Sequence, residues 1–216
     1  MTDPLVRRTD YALGALAEAD LDADPLVTAR RWLADAASAE SAVSEPNAMV
    51  VSTVDPDGDP SSRTVLLRGL DRGLVFFSHR TSEKGRAIAA HPVVSLLFPW
   101  YPLQRQLIVR GTVEPTTDAE SDAYWTSRPW GSRTSARASR QSEPIASRAA
   151  LEAAMDAEQR AHPEGGAVPR PAEWGGFRVI PSRIEFWQGR RSRLHDRVRF
   201  SRAAEGEPWE VVRLQP

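Results

Sequence analysis

Residues 48–78 read Ala-Met-Val-Val-Ser-Thr-Val-Asp-Pro-Asp-Gly-Asp-Pro-Ser-Ser-Arg-Thr-Val-Leu-Leu-Arg-Gly-Leu-Asp-Arg-Gly-Leu-Val-Phe-Phe-Ser, and the spacing of turn residues between apolar runs here decides the fold. The Val-rich run Ala48 to Val54 closes on Asp55-Pro56-Asp57-Gly58, where Pro presets one dihedral and Gly accepts a left-handed one. Arg63 to Leu70 is the return strand, Asp71-Arg72-Gly73 turns the chain again, and Leu74 to Ser78 supplies a third strand of aromatic and branched side chains. Short turns between consecutive strands specify an antiparallel meander.

Upstream, Asp24-Pro25 is an N-cap followed by Pro at the first helical position. Leu26, Ala29, Leu33 and Ala36 then recur at helical spacing, which predicts an amphipathic helix ending near Ala42. Downstream, Ser82 caps a short helix through Ala90, and Val93 to Phe98 and Gln104 to Val113 are two further strands around Pro99-Trp100-Tyr101-Pro102. Thr117-x-x-Glu120 is a capping box that starts a helix ending before Pro129. Ser132 to Gln141 is polar, Arg-rich and helical, and Ala149 to Ala161 is a surface helix. His162 to Glu173 carries Pro163, Gly165, Gly166, Pro169 and Pro171 and is a loop. Strands return at Gly176 to Gln188, Asp196 to Ser201 and Trp209 to Leu214. Together these elements predict an α+β protein built on an antiparallel barrel with flanking helices. A Gly-rich phosphate loop of the dinucleotide or Walker type is absent from the sequence, which removes doubly wound and P-loop readings.

The 216 residues are 41% hydrophobic and 26% charged, the composition of a globular chain large enough for one substantial core. With no Cys there is no disulfide, thiolate metal site or Cys nucleophile, and the four His residues lack metal-ligand spacing. No apolar run reaches membrane-spanning length, and the start MTDPLVRRTDYALG lacks the pattern of a secretory signal, so the expected location is cytoplasmic. The net charge of −1 argues against a nucleic-acid partner. It conceals a division: residues 1–60 hold twelve acids against four Arg, a balance of −8, which leaves +7 downstream. All the basic residues but Lys84 are Arg, whose planar fork suits phosphate and carboxylate.

Three constellations could carry chemistry. In Arg193-Leu194-His195-Asp196-Arg197, an extended backbone puts Arg193, His195 and Arg197 on one face, able to hold an anion; the same alternation also serves as a charged edge strand that resists aggregation. Arg63 and Arg68 have opposite parity in a regular strand, so a shared site requires a bulge or a ligand that wraps the strand end. Tyr124, Arg128 and Ser132 gather a phenol, a guanidinium and a hydroxyl around a helix end. Many anion handles with little acid-base equipment point to a cofactor that brings its own chemistry.

With these residues in place, the sequence resembles the pyridoxine/pyridoxamine 5′-phosphate oxidase family, FMN proteins of the split-barrel fold. The resemblance runs from about Asp24 to Pro216 through Asn47-Ala48-Met49-Val50, Arg63-Thr64-Val65-Leu66-Leu67, Ser95-Leu96-Leu97-Phe98-Pro99-Trp100 and Ser127-Arg128-Pro129. It continues through Gln141-Ser142, Trp174-Gly175-Gly176-Phe177-Arg178 and Glu185-Phe186-Trp187-Gln188-Gly189 to Arg193-Leu194-His195-Asp196-Arg197.

The resemblance implies an FMN site made of Arg63, Thr64, Val65, Leu66, Leu67 and Arg68, with Phe77, Ser78, Lys84 and Gln106, and with Gln141, Ser142, Trp187 and Arg197. It implies substrate contacts from Arg68, Tyr124, Arg128 and Ser132, with Arg193 and His195 as the catalytic pair. Residues 1–23 would be a mobile segment that brings Arg8 and Tyr11 over the ligand, and residues 174–216 a dimerisation and active-site region of the 24–216 domain. The implied activity is FMN-dependent oxidation of pyridoxamine or pyridoxine 5′-phosphate to pyridoxal 5′-phosphate. Oxygen would be the acceptor, hydrogen peroxide a product, and the flavin would lie between two subunits of a homodimer. A phenazine-type FMN oxidase acting on a carboxylated ring, and a binding protein without turnover, are the alternatives. Two residues depart from the family pattern: Arg68 stands where Lys is expected, and Glu83 where a base is expected just before Lys84. An acid there repels the FMN phosphate unless it turns to solvent or pairs with Arg86 at i+3.

Overall fold

The Asp55-Pro56-Asp57-Gly58 turn is closed by its first residue. In the computed structural model, which describes residues 4–6, 10–38 and 40–216, Asp55 Oδ1 accepts from the backbone N–H groups of Asp57 (3.0 Å) and Asp59 (2.8 Å). Gly58 takes φ +94°, a value that penalises any side chain. The turn joins β1 (Ala48–Val54) to β2 (Pro60–Leu66), antiparallel and in register from Ala48↔Leu66 to Val54↔Pro60.

The return strand predicted as continuous changes partner midway. The Leu67 N–H donates to Asn47 O (2.8 Å), the last link to the β1 side, and the Arg68 N–H donates to Val75 O (2.7 Å). From there β3 (Gly69–Leu70) pairs with β4 (Leu74–His79). Among the described residues nine strands form one sheet, seven of them in the order β2-β1-β5-β6-β7-β4-β3, with β5 at Val93–Trp100, β6 at Arg105–Pro115 and β7 at Trp174–Gln188. Because β2 and β3 at its two ends are consecutive in the chain, the sheet curls into an antiparallel barrel. This is the predicted α+β class.

The long strand β7 is shared between two sheet regions. Its first half pairs with β4 (Leu74↔Val179 to His79↔Trp174), and its second half pairs with β8 (Asp196–Ser201), which in turn carries β9 (Glu210–Arg213). The hand-over falls at a register shift against β6 between Arg110 and Gly111. Pro181, which has no N–H to donate, faces Gly111 there, and a Cβ on Gly111 would lie 2.1 Å from Ile180 O.

Alternate residues of these strands turn inward: Met49, Val51, Leu96, Phe98, Val109, Ile184, Phe186, Val198 and Phe200 are all buried. Helix α1 (Pro25–Ala37) packs Trp32 onto the core, 5.0 Å from the Phe186 ring and 6.5 Å from Trp100. It stops short of the predicted Ala42, and the Ser41 hydroxyl bonds the Ala36 carbonyl just beyond its end. Helices α2 (Glu83–Ala90), α3 (Asp118–Ser127), α4 (Trp130–Ala138) and α5 (Arg148–Ala161) complete the chain. Ser82 caps α2, and the Thr117/Glu120 capping box opens α3 as predicted. Buried Arg178 fastens α3 to the barrel, pairing with Asp71 and Glu120 at 2.6 Å each; this holds the Glu120 carboxyl down at about 2. Among the described residues no helix is long and apolar enough to cross a membrane.

Candidate active site

The partner change at Leu67–Arg68 dissolves the parity conflict. Arg63 and Arg68 line one cavity of about 700 Å³ on the outside of the barrel, because the strand between them is not regular. Arg63, Thr64, Val65 and Leu66 form one wall, and Phe77, Ser78 and His79 at the end of β4 form another. Leu67 turns into the core instead.

At the floor, Lys84 in the first turn of α2 is 7% exposed. Its Nζ donates to Gln141 Oε1 (2.8 Å) and Ser78 Oγ (3.2 Å), and Ser78 Oγ donates to the same Gln141 oxygen (2.7 Å). These are neutral acceptors. Burial, reinforced by the nearby Arg63 charge, pushes Lys84 down to about 8. Arg128, the C-cap of α3, lies over the rings of Trp174 (4.9 Å) and Trp125 (5.2 Å), and its Nη1 is buried with no hydrogen-bond partner. Burial lowers its pKa as well. Arg68 sits 6.0 Å from the Tyr124 ring. Lys84, Arg68 and Arg128 have no carboxylate within ion-pair distance among the described residues, so the cavity presents three cations that no protein carboxylate pairs with, although Glu152 and Asp156 also line it.

Aromatic rings set the remaining wall. Phe77 stacks on Tyr124 (4.1 Å, 23° between planes) and on Trp174 (5.4 Å, 13°). The Trp125 indole N–H donates to Val168 O (2.7 Å), while Arg170 bonds Asp118, Asp122 and Trp174 O, so α3 presents Tyr124 and Arg128 from a fixed base.

A second cluster gathers the remaining predicted residues. Gln106, Trp187 and Arg197 lie opposite one another across β6, β7 and β8, hence on one face of the sheet. Tyr11 packs against Trp187 (6.0 Å) and His195 (5.7 Å), and Gly189 is required there because a Cβ would fall 2.9 Å from the Tyr11 ring. His195 Nδ1 accepts from the Arg190 N–H (3.1 Å), so a neutral ring carries its proton on Nε2; burial and the Arg193 charge favour that neutral form. Tyr11, Arg190, Arg191 and Leu194 border a cavity of about 460 Å³. Asp196 ties the segment together, accepting from the Leu16 N–H, Arg190 and Arg213.

The extended alternation of Arg193, His195 and Arg197 does not form. Residues 191–193 make a 3-10 turn, Ser192 (φ 55°) and Arg193 (φ 62°) are left-handed, and the strand starts only at Asp196. Arg197 pairs with Glu185 at 2.7 Å, and the exposed Arg193 has no side-chain partner among the described residues. Glu83 pairs with Arg63 (2.8 Å) rather than Arg86. Gln141 joins the cavity, whereas Ser142, left-handed at φ 74°, and Ser132 stay outside its lining. Arg8 lies outside the described residues. Sequence reading missed the roles of Trp174 and His79 and the inward face of α5, where Arg148, Leu151, Glu152, Met155 and Asp156 line the cavity. The 148/151/152/155/156 spacing of α5 was the available signal.

A curled antiparallel barrel with a cationic, ring-walled cleft defines an anion-binding β-barrel protein. Residues 36–160 match the family model for pyridoxamine 5′-phosphate oxidase, and residues 174–216 match the pyridoxine 5′-phosphate oxidase C-terminal dimerisation region. The chain is 53% identical over 210 residues to a pyridoxine/pyridoxamine 5′-phosphate oxidase of Ralstonia pickettii, covering 97% of each chain. A Streptomyces avermitilis protein of the same name is 50% identical, over 99% of this chain and 96% of its own. Among solved structures, PhzG from Burkholderia lata, in complex with tetrahydrophenazine-1-carboxylic acid, superposes with a TM-score of 0.85 at 34% identity, over 94% of this chain and 98% of that one. The chain belongs to the pyridoxamine 5′-phosphate oxidase family, whose members are FMN-dependent oxidoreductases.

Proposed function

We propose that the chain binds FMN and oxidises pyridoxamine or pyridoxine 5′-phosphate to pyridoxal 5′-phosphate, passing the electrons to dioxygen. The observation that carries this reading is one cavity that gathers Lys84, Arg63, Arg68 and Arg128 around the Phe77–Tyr124–Trp174 stack, with Arg68 6.0 Å from the Tyr124 ring and Arg128 4.9 Å from the Trp174 ring. Two phosphates and two planar ring systems match that donor set. The buried Lys84 ammonium and the unpartnered Arg128 Nη1 are groups that an anion would satisfy.

FMN, when bound, supplies the acceptor for the hydride leaving the substrate's 4′ carbon. The chain's own share is positioning. Arg63, Lys84, Ser78 and Gln141 would hold the cofactor's phosphate. Arg68, Tyr124 and Arg128 would hold the substrate's phosphate. Arg193 and His195 would orient the ring, with the His195 Nε2–H as a hydrogen-bond donor. From the amine, the substrate loses two electrons and two protons, water adds to the resulting imine, ammonia leaves, and dioxygen departs as hydrogen peroxide.

The two clusters complete one site through a homodimer: the Lys84 cavity of one chain would meet the Trp187–Arg193–His195 cluster of its partner. The match to a C-terminal dimerisation region supports this arrangement. Residues 1–23, through Tyr11 and Arg8, would close over the ligand. The likeness to PhzG favours one second reading, a carboxylated ring in place of the phosphorylated one.

The test is the purified chain's visible spectrum with added FMN, followed by pyridoxamine phosphate under air. Flavin bands and stoichiometric peroxide with pyridoxal phosphate are expected. Flavin binding with turnover only of a carboxylated ring selects the second reading, and a chain that takes up no flavin contradicts both.

A further inference from the structure

Arg63 is almost fully engaged before any ligand arrives. Its Nη1 donates to Thr53 Oγ1 (2.7 Å) and Ser61 O (3.3 Å), and its Nη2 donates to Ser61 Oγ and to Glu83 Oε1 (2.8 Å). The Ser61 hydroxyl donates to that same Glu83 oxygen (3.0 Å), closing a triangle at the cavity rim. Of the five N–H donors only Nε lacks a described partner, whereas a phosphate grips best through two parallel donors. Glu83 directly precedes Lys84 and stands outside the cavity's lining, with its charge within electrostatic reach of both Arg63 and Lys84. The Glu83 side chain is 56% exposed against 20% for Arg63. An ion pair so exposed is weak enough for a dianion to displace.

We propose that Glu83 is an internal competitor for the cavity's phosphate: its carboxylate holds Arg63 in the ligand-free chain and yields when FMN binds. Glu83 thereby sets how strongly this chain prefers phosphorylated over unphosphorylated flavin. This rests on reading the cavity as the FMN site. The charge, not the shape, of residue 83 is then what limits affinity. Glu83→Gln keeps the length and the Ser61 contact while removing the like charge beside the phosphate.

The experiment is titration of apo-protein into FMN and, separately, riboflavin, read by quenching of flavin fluorescence. Glu83→Gln is expected to tighten FMN by about tenfold, which corresponds to roughly 1.4 kcal/mol, and to leave riboflavin within about twofold. In an Arg63→Gln background the same change is expected to tighten FMN clearly less than it does beside Arg63, because only the direct repulsion of the phosphate is left to remove. FMN binding unaltered by Glu83→Gln overturns the proposal alone, and weakened binding overturns it by making Glu83 an aligner of Arg63. If neither the parent chain nor the variant binds FMN, the reading of the cavity falls and the competitor role falls with it.

Discussion

Lys84→Met is expected to bind FMN about 100-fold more weakly than the parent chain, and its ligand-free form to melt several degrees higher. Both effects come from one buried ammonium that has only neutral partners in Gln141 and Ser78. Losing a charge-assisted contact to phosphate in a partly desolvated site costs about 2–5 kcal/mol, so a loss of roughly 100-fold lies at the modest end. The stability gain has the opposite origin. Burial holds Lys84 down at about 8, against 10.5 for the exposed group. The unfolded chain therefore binds more protons than the folded one between about pH 8 and 10.5, and stability rises with pH across that window. The penalty is fully present below pH 8, and Met removes it. For a chain of this size about 1 kcal/mol moves the melting temperature by roughly 2–4 °C. FMN affinity carries the complementary signature: in the parent chain it falls as pH rises above about 8, where the free site loses the Lys84 proton. The phosphate, already a dianion above about pH 6, adds no titration there. Calorimetric melting of apo-protein and fluorescence titration at pH 7, 8 and 9 check all three statements. A variant with FMN affinity near the parent's and the same pH slope removes Lys84 from the site.

Arg193→Ala is expected to retain FMN within about threefold while turnover with pyridoxamine phosphate falls about 100-fold or more. Arg193 is exposed and its side chain is unpartnered among the described residues, so truncation opens no hole and breaks no ion pair. Its backbone is instead held at φ 62° beside Ser192 at φ 55°. Two successive left-handed residues without glycine cost about 1–3 kcal/mol each, a strain that the Asp196 contacts sustain. The strained turn keeps Arg193 within electrostatic reach of His195, whose Nε2–H would complete a donor pair. Misplacing a bound ring by about 1 Å can cost on the order of 100-fold in rate. Steady-state kinetics alongside the flavin titration separates the two effects, and unchanged kinetics takes Arg193 out of the reaction.

The strands were legible because their signals are local. Period-two runs bounded by Asp-Pro-Asp-Gly and Asp-Arg-Gly place β1, β2 and β4 within a few residues, and Ser82 and Thr117 cap their helices as read. The cavity-facing side of α5 went unread in a segment that reads as a surface helix, although Leu151 and Met155 recur at helical spacing. What sequence reading missed depends on closure over long separations. Gln141 reaches Lys84 across 57 residues, and only the family resemblance, not the residues around it, put the two in one site. Helical spacing offered Arg86 to Glu83, but β2 runs beside the start of α2 and brings Ser61 and Arg63 within reach, so the tertiary pairing wins. The parity conflict between Arg63 and Arg68 was real in a regular strand and disappears because the barrel closes at Leu67. The Arg193–Arg197 alternation failed because two left-handed residues break the extended backbone that it assumed.

That the Lys84 cavity and the Arg193 turn belong to one site, contributed by two chains, is open to a direct measurement. Lys84→Met and Arg193→Ala chains are mixed in equal amounts under conditions that exchange subunits. Peroxide production is then assayed at an FMN concentration that saturates only sites with Lys84 intact. Random pairing makes about half the dimers mixed, and each mixed dimer has one site with both halves unaltered, so about a quarter of parental activity returns. A mixture no more active than the better of the two variants alone would show that each chain builds its site unaided, and would contradict the shared arrangement.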